Sequence, residues 1–132
     1  MPSPRSAARS FTLTFDNPGS LPVLRKILRL MLAGADADRV ADAELVCTEL
    51  VSNAIEHAAP PRTARLRIDQ AEDLRITVVD GSPDARLTVG SSHVGPHRGF
   101  GMLIIDRIAT HWHVTRNATT KAVRAALPTG WR

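Results

Sequence analysis

The sequence ELVSNAIEHA, residues 49–58, forms the C-terminal half of the longest helical pattern in the chain. We predict a helix over 38–58, which ends before Pro60-Pro61 because a proline disfavours helical backbone in the residue that precedes it. At about 100° per residue, the apolar side chains fall on one stripe: Val40, Ala43, Cys47, Leu50, Val51, Ala54 and Ala58. The stripe predicts a helix with one side against a hydrophobic core, with Cys47 as a core residue.

Three polar residues of this helix, Glu49, Asn53 and His57, are spaced four residues apart and therefore drift around the helix together. Glu49 begins on the polar side, whereas His57 is predicted among Val46 and Leu50 on the apolar edge. Polar groups beside a core need hydrogen-bonding partners, so we expect a polar partner next to this rim. An ordinary amphipathic helix with a satisfied boundary histidine has the same spacing, and this alternative stays open.

Outside this helix, the apolar pattern switches between periods of two and 3.6 residues. Alternation predicts strands at 11–15, 64–69, 74–79, 112–114 and 123–127. A first helix is predicted from a Ser20 cap to a Gly34 stop, and a third helix follows Gly99-Phe100-Gly101. This order of elements predicts an α/β (α+β) fold in two layers, with helices on one face of a mixed, mostly antiparallel sheet.

The 132 residues are enough for one domain, and 43% of them are hydrophobic. We predict residues 1–10 as a flexible leader and residues 11–132 as a single domain. The single cysteine, Cys47, cannot form an intrachain disulfide, which favours a reducing, cytoplasmic setting. No apolar run approaches the roughly 20 residues that a membrane span requires, so no membrane association is expected.

The net charge of +4 raises the question of an acidic or nucleic-acid partner. The basic residues are scattered along the chain, and we interpret most of them as solvated surface. A patch for phosphates or for an acidic protein stays open. With no tyrosine and three phenylalanines, the chain offers little for base stacking, so direct nucleic-acid binding is not expected.

Asp80 is a polar residue at a position that the alternation predicts to be buried. It has the same parity as Ile76 and Val78, so its carboxylate is expected to point toward the core. An isolated buried carboxylate is unfavourable unless it accepts hydrogen bonds, and the exocyclic amine of adenine is one suitable donor. Asp is also common at the start of a turn such as residues 80–83, and this interpretation stays open.

The segment 81–98 is rich in Gly, Ser, Pro and His, and a loop of this length in a small domain is usually either functional, as a lid is, or disordered. It leads to Arg98 and then to Gly99-Phe100-Gly101 at a predicted helix start. Glycines permit close backbone approach, and free N–H groups at a helix N-terminus attract phosphate. A Gly-x-Gly sequence is also common in tight loops.

Taken in order, these motifs resemble the N, G1 and G2 boxes of the GHKL (Bergerat-fold) superfamily, in particular its small anti-sigma factor serine kinases. Residues 49–58 resemble the N box, Asp80-Gly81-Ser82 the G1 box, and residues 98–102 the G2 box. Lys121-Ala122-Val123 resembles the closing strand of the family, with Thr120 in place of its glycine. The resemblance extends from about residue 11 to residue 127.

The resemblance implies an ATP-binding site that uses Mg²⁺. Glu49 would be the general base and Asn53 the Mg²⁺ ligand. At the adenine end, the resemblance implies that Asp80 would hold the adenine amine, that His57 would orient the rim and that Gly81 would give the loop flexibility. At the phosphate end, it implies the residues of the G2 box, Arg98, Gly99, Gly101 and Met102. Lys121 would supply a further positive charge.

The resemblance also implies a function and partners. The protein would phosphorylate a serine of an anti-sigma factor antagonist and would sequester a sigma factor when that antagonist is absent. A homodimer is also left open. Ser82 and Asp84 stand where the family usually has further glycines. This departure keeps an alternative open, in which the chain is an ATP-binding or degenerate regulatory module without kinase activity.

Overall fold

The computed structural model describes residues 9–85 and 101–131. Most of the predicted leader, most of the predicted lid, Arg98 and Gly99 lie outside the described residues. The elements, in chain order, are β1 (Ser10–Thr14), α1 (Ser20–Met31), α2 (Ala37–His57), β2 (Thr63–Ile68), β3 (Leu74–Asp80), α3 (Gly101–Ile108), β4 (His111–Arg116) and β5 (Lys121–Leu127).

The strands form a five-stranded sheet in the order β1-β2-β3-β5-β4. The three described helices pack on one face of this sheet, so the predicted two-layer α+β architecture is confirmed. Every pairing between the described strands is antiparallel, whereas the sequence pattern allowed a mixed sheet. Each prediction of a helix or strand in the described residues corresponds to an observed element, with shifts of one or two residues at its ends.

Alternation along the strands divides the sheet into a buried face and an open face. On β3, Leu74, Ile76 and Val78 are buried against the helices, while the residues between them are half-buried. The predicted stripe of α2 lies against the same core from Ala43 to Ala54. Burial raises the pKa of the Cys47 thiol to about 12, which fits a core residue and not a nucleophile.

The N-terminal capping of α1 differs from the prediction, whereas α2 begins with a side-chain cap. Ser20 was expected to cap α1, but Gly19 is the N-cap residue and contributes no side chain. The Ser20 hydroxyl instead donates to the carbonyl of Asn17 at 3.0 Å, because Ser20 is already the first helical residue. α2 does have a side-chain cap, since Asp36 Oδ1 accepts from the N–H of Asp38 at 2.9 Å.

The sheet begins one residue earlier than predicted. Ser10 pairs with Arg67, and the Arg9 guanidinium donates to the carbonyl of Asp69 at 2.7 Å. Arg9 and Ser10 are therefore part of the folded domain and not of the leader. None of the described helices is both long enough and apolar enough to cross a membrane.

Candidate functional site

Helix α2 carries Glu49, Asn53 and His57 along the rim of its buried face. Glu49 and Asn53 are half-buried, as the helical spacing predicts for residues beside the core. The placement of His57 on the apolar edge was wrong, because its side chain is 59% exposed and its Nε2 lies 3.8 Å from Glu56 Oε2. Ala54 is the last buried residue of α2, so His57 lies in the final turn, beyond the part of the helix that packs on the sheet.

Asp80, at the end of β3, is buried and points toward the helices, as its parity predicted. Its Oδ2 lies 3.3 Å from Nζ of Lys121, and both side chains are 4% exposed. The two residues are direct partners in the β3–β5 register, which places an ammonium next to the carboxylate without any turn or loop between them. A carboxylate at this depth is stable because it is paired.

Lys121 therefore differs from its predicted use. It was predicted to be a further positive charge for the phosphates, but its ammonium is buried against Asp80. The burial of Lys121 could have been predicted from the alternation of β5, because Lys121 shares its parity with the core residues Val123, Ala125 and Leu127. A lysine at a core-facing position requires an acidic partner, and Asp80 is the acid opposite it.

Asp80 both faces the core and begins a turn, and its contact with the adenine amine stays a prediction. Its Oδ2 faces Lys121, and its Oδ1 accepts from the N–H of Ser82 at 2.9 Å, as in a turn that an Asp side chain begins. Each carboxylate oxygen has two lone pairs, and one contact is described for each oxygen. The carboxylate therefore retains acceptor capacity for one further donor, such as an amine.

Two hydrogen bonds fasten the G1-like turn to the segment that follows α2. The N–H of Gly81 donates to the carbonyl of Ala59 at 2.8 Å, and the N–H of Ala59 donates to Oγ of Ser82 at 2.7 Å. The two chain segments are so close that a Cβ on Gly81 would lie 2.3 Å from the carbonyl oxygen of Pro60. Gly81, predicted to give the loop flexibility, thus permits a close backbone contact between the G1-like turn and the segment that follows α2.

This contact yields a first prediction. Gly81→Ala should lower the free energy of unfolding by about 2 kcal/mol, because the methyl group would meet a backbone oxygen that cannot rotate away. Gly19→Ala is the control, since its Cβ would meet only the side-chain oxygen of Asn17. Urea denaturation of both variants measures the difference. Equal stability of the two variants would contradict the described contact.

Arg62, which the sequence analysis did not single out, holds the C-terminal end of α2. Its Nε donates to the carbonyl of Ala54 at 2.9 Å and its Nη2 to the carbonyl of Ala58 at 2.7 Å. The last carbonyls of a helix lack intrahelical partners, and a guanidinium there also interacts favourably with the helix dipole. Arg62 thereby fixes the end of the N-box helix relative to β2. The position of this arginine just after a predicted helix end could have indicated the contact from the sequence.

The predicted phosphate-binding residues are described only in part. α3 begins at Gly101, as expected, while Arg98 and Gly99 lie outside the described residues. Met102 was predicted as a cofactor-binding residue, but its side chain is 3% exposed and belongs to the hydrophobic core. A methionine in the first turn of an amphipathic helix packs inward, so only its backbone remains for a ligand.

No group of three or more metal-ligating side chains occurs within residues 9–85 and 101–131. Mg²⁺ usually takes one or two protein oxygens and completes its coordination with water and phosphate oxygens. The half-buried amide of Asn53 is compatible with such a site, and its assignment as the ligand stays a prediction.

Residues 16–127 match the model of the histidine kinase-like ATPase domain family. The chain belongs to this family. The resemblance that the three boxes suggested is thus confirmed at the level of the family, and the matched residues include α2, the end of β3 and the start of β5. A comparison with curated proteins gave no significant match.

Two solved structures show the same fold. One contains the RsbU and RsbW domains of Rv1364c from Mycobacterium tuberculosis, with a TM-score of 0.68, 18% identity and coverage of 93% of this chain and 33% of that one. The other is the histidine kinase domain of the Erythrobacter litoralis blue-light activated histidine kinase EL346, with a TM-score of 0.56, 18% identity and coverage of 84% and 60%. The chain thus spans a third of the first structure and three fifths of the second.

Proposed function

We propose that this histidine kinase-like ATPase domain binds ATP with Mg²⁺ and acts as an anti-sigma factor-type serine kinase. In this proposal it phosphorylates an anti-sigma factor antagonist and sequesters a sigma factor when unphosphorylated antagonist is absent. The observation that supports it most is the buried Asp80 carboxylate, which faces the helix layer and begins a turn that is hydrogen-bonded to Ala59, just after α2. The family match and the fold likeness to a structure that contains an RsbW domain support it further.

The described residues fit the adenine end of a nucleotide. Asp80 is buried, has acceptor capacity left, and is held in place by Lys121 and by the N–H of Ser82. A carboxylate fixed in this way can accept from an exocyclic amine without losing its existing partners. Lys121 contacts the carboxylate at low solvent exposure and is therefore a positioning residue in this proposal, in place of the phosphate contact first expected of it.

The chemistry is assigned to α2 and the start of α3. Mg²⁺, when bound, neutralises phosphate charge, and the amide oxygen of Asn53 would hold it. Glu49 would accept the proton of the antagonist's serine hydroxyl during phosphoryl transfer. Arg98 and the backbone of Gly99 and Gly101 would contact the phosphates, and the exposed His57 would lie at the edge of the site.

A binding module without kinase activity is the second candidate. It is favoured by the departure from the family's G1 box, because Ser82 and Asp84 stand where the family usually has further glycines. The contacts of Gly81 and Ser82 to Ala59 point in the same direction, since they tie down a turn that is glycine-rich in the family. In either candidate the proposed setting is the cytoplasm, and the proposed partners are proteins.

Thermal unfolding in the presence of Mg-ATP tests the nucleotide site. A ligand that binds only the folded state at about 100 times its Kd stabilises that state by about 2.7 kcal/mol, which corresponds to a Tm rise of roughly 10 °C for a domain of this size. Asp80→Asn should remove most of the rise, because an amide has a single acceptor oxygen, and Lys121 and the N–H of Ser82 already face this side chain. Asp84→Asn, an exposed change nearby, should leave the rise intact. An unchanged Tm of the wild type at millimolar Mg-ATP would contradict the proposal.

A further inference from the structure

The open face of the sheet, opposite the helices, carries a concentration of arginines. Alternation places fifteen strand residues on this face, and we name them the outer sheet face: Ser10, Thr12, Thr14, Thr63, Arg65, Arg67, Arg75, Thr77, Val79, His111, His113, Thr115, Ala122, Arg124 and Ala126. Four are arginines and none is acidic, so the face is positively charged. Asp80 and Lys121 point to the opposite side of the same sheet.

The arginines line a shallow groove of about 450 Å³ that crosses β1, β2, β3 and β5. Arg65 and Arg67 are exposed, and the guanidinium group of neither residue forms a hydrogen bond or ion pair within the described residues. Arg124 is also exposed and donates to Oγ1 of Thr115. Arg75 is less available to a ligand than the other three, because its Nε donates to Asp69 Oδ2 at 2.8 Å in an ion pair. Two guanidinium groups are therefore available in full.

The register of the strands concentrates this charge further. Arg67 and Arg75 are direct cross-strand partners, and like charges in that position destabilise a sheet. Arg65 and Arg124 lie on either side of Thr77 in the next row, two strands apart. This arrangement of like charges destabilises the folded sheet, whereas threonine or valine at these sites would be compatible with the strands. A role in stability therefore does not explain these arginines.

We propose that the outer sheet face binds an extended, acidic segment of a partner protein through carboxylate–guanidinium pairs. Side chains on one side of an extended segment recur every 6.6–6.8 Å or so, which is also the spacing of Arg65 and Arg67 along β2. A guanidinium forms bidentate pairs with carboxylates, so acidic residues at alternate positions would match this row. The threonine hydroxyls between the arginines supply further hydrogen bonds.

Residues of this sequence that the structure does not describe cannot supply the carboxylates. Residues 1–8 and 86–100, which the structure does not describe, contain no Asp or Glu. A second copy placed on this face by a two-fold axis would bring arginines against arginines, because such an interface joins the same patch of both copies. Nucleic acid is also disfavoured, since the face has no Phe, Tyr or Trp on which a base could stack.

The surface is independent of the proposed nucleotide site. It lies on the other side of the sheet, and no residue of the outer sheet face was assigned to ATP, Mg²⁺ or catalysis. Failure of the proposal would leave the proposed kinase activity untouched, and the reverse also holds.

The test uses the full chain and a fluorescent peptide of about ten residues in which Glu and Thr alternate. Anisotropy titrations at low salt should show binding, and Arg65→Thr with Arg67→Thr should weaken it about tenfold. Threonine suits the strand and relieves the Arg67–Arg75 repulsion, so the Tm should not fall. Lys26→Gln with Arg39→Gln is the control, because it removes the same charge from exposed helical positions and should change affinity less than twofold.

Four results would overturn the proposal, of which the last concerns a control peptide. One is no binding of the Glu–Thr peptide by the wild type. Another is an equal loss of peptide affinity in both double variants, which would show that the effect depends only on net charge. The third is tighter binding of single-stranded DNA, or of vesicles of phosphatidylcholine and phosphatidylserine, than of the peptide. A Gln–Thr peptide of the same length should not bind, and binding of it would remove the role of the carboxylates.

Discussion

Replacing Asp80 with alanine is expected to lower the free energy of unfolding by about 3–5 kcal/mol. The change would leave the ammonium of Lys121 buried at 4% exposure without its carboxylate, and an unpaired buried charge is among the most destabilising features a protein can contain. A domain of this size has a total stability of roughly 5–15 kcal/mol, so the variant would be close to unfolding. Urea denaturation followed by circular dichroism measures the loss.

Two variants make this expectation specific to the ion pair. Asp84→Ala removes an exposed carboxylate four residues away and should change stability by less than about 0.5 kcal/mol. Asp80→Leu combined with Lys121→Met removes both charges and should recover most of the loss, because apolar residues of similar size can replace a buried pair. A loss in Asp80→Ala no larger than in Asp84→Ala would show that the pair does not form.

Replacing Glu49 with alanine should reduce phosphate transfer to a serine-bearing antagonist by roughly 100- to 10,000-fold and leave ATP affinity nearly unchanged. A general base contributes by that factor to the rate, and it need not contribute to ground-state binding. Labelled ATP, incubated with antagonist proteins from the same genome, provides the measurement. Asp42→Ala, on the same helix, is the matched control and should transfer phosphate at the wild-type rate.

Asn53→Ala should behave differently from Glu49→Ala. The loss of a Mg²⁺ ligand would weaken both nucleotide binding and turnover, so the two variants give distinct signatures. Transfer by Glu49→Ala at the wild-type rate would remove its role as the base. A wild type that binds ATP and phosphorylates no antagonist would favour the binding module over the kinase.

Local pattern in the sequence was sufficient for most of the fold. Alternation over three to six residues predicted each strand, and a 21-residue pattern with one apolar stripe predicted α2. The motifs on α2 and at the end of β3 were enough to identify the family. These features depend on the period of side chains along one element, which a single segment of sequence contains.

The partners of Asp80 and of the arginines were decided only by the tertiary structure. Parity showed that Asp80 faces inward, but its pairing with Lys121 depends on β5 inserting between β3 and β4 in the sheet. The same strand order gathers Arg65, Arg75 and Arg124 on one face, although along the chain they looked scattered.

Ends of elements also required the folded context. His57 continues the helical spacing of Glu49 and Asn53, yet it is exposed because the core contact of α2 ends at Ala54. The sequence by itself therefore determined which residues face inward within each element and which family the motifs belong to. Which charges meet was decided by the order of the strands, because a charge is stabilised or repelled by whatever lies within a few ångströms of it, and residues distant in sequence reach that range only in the folded chain.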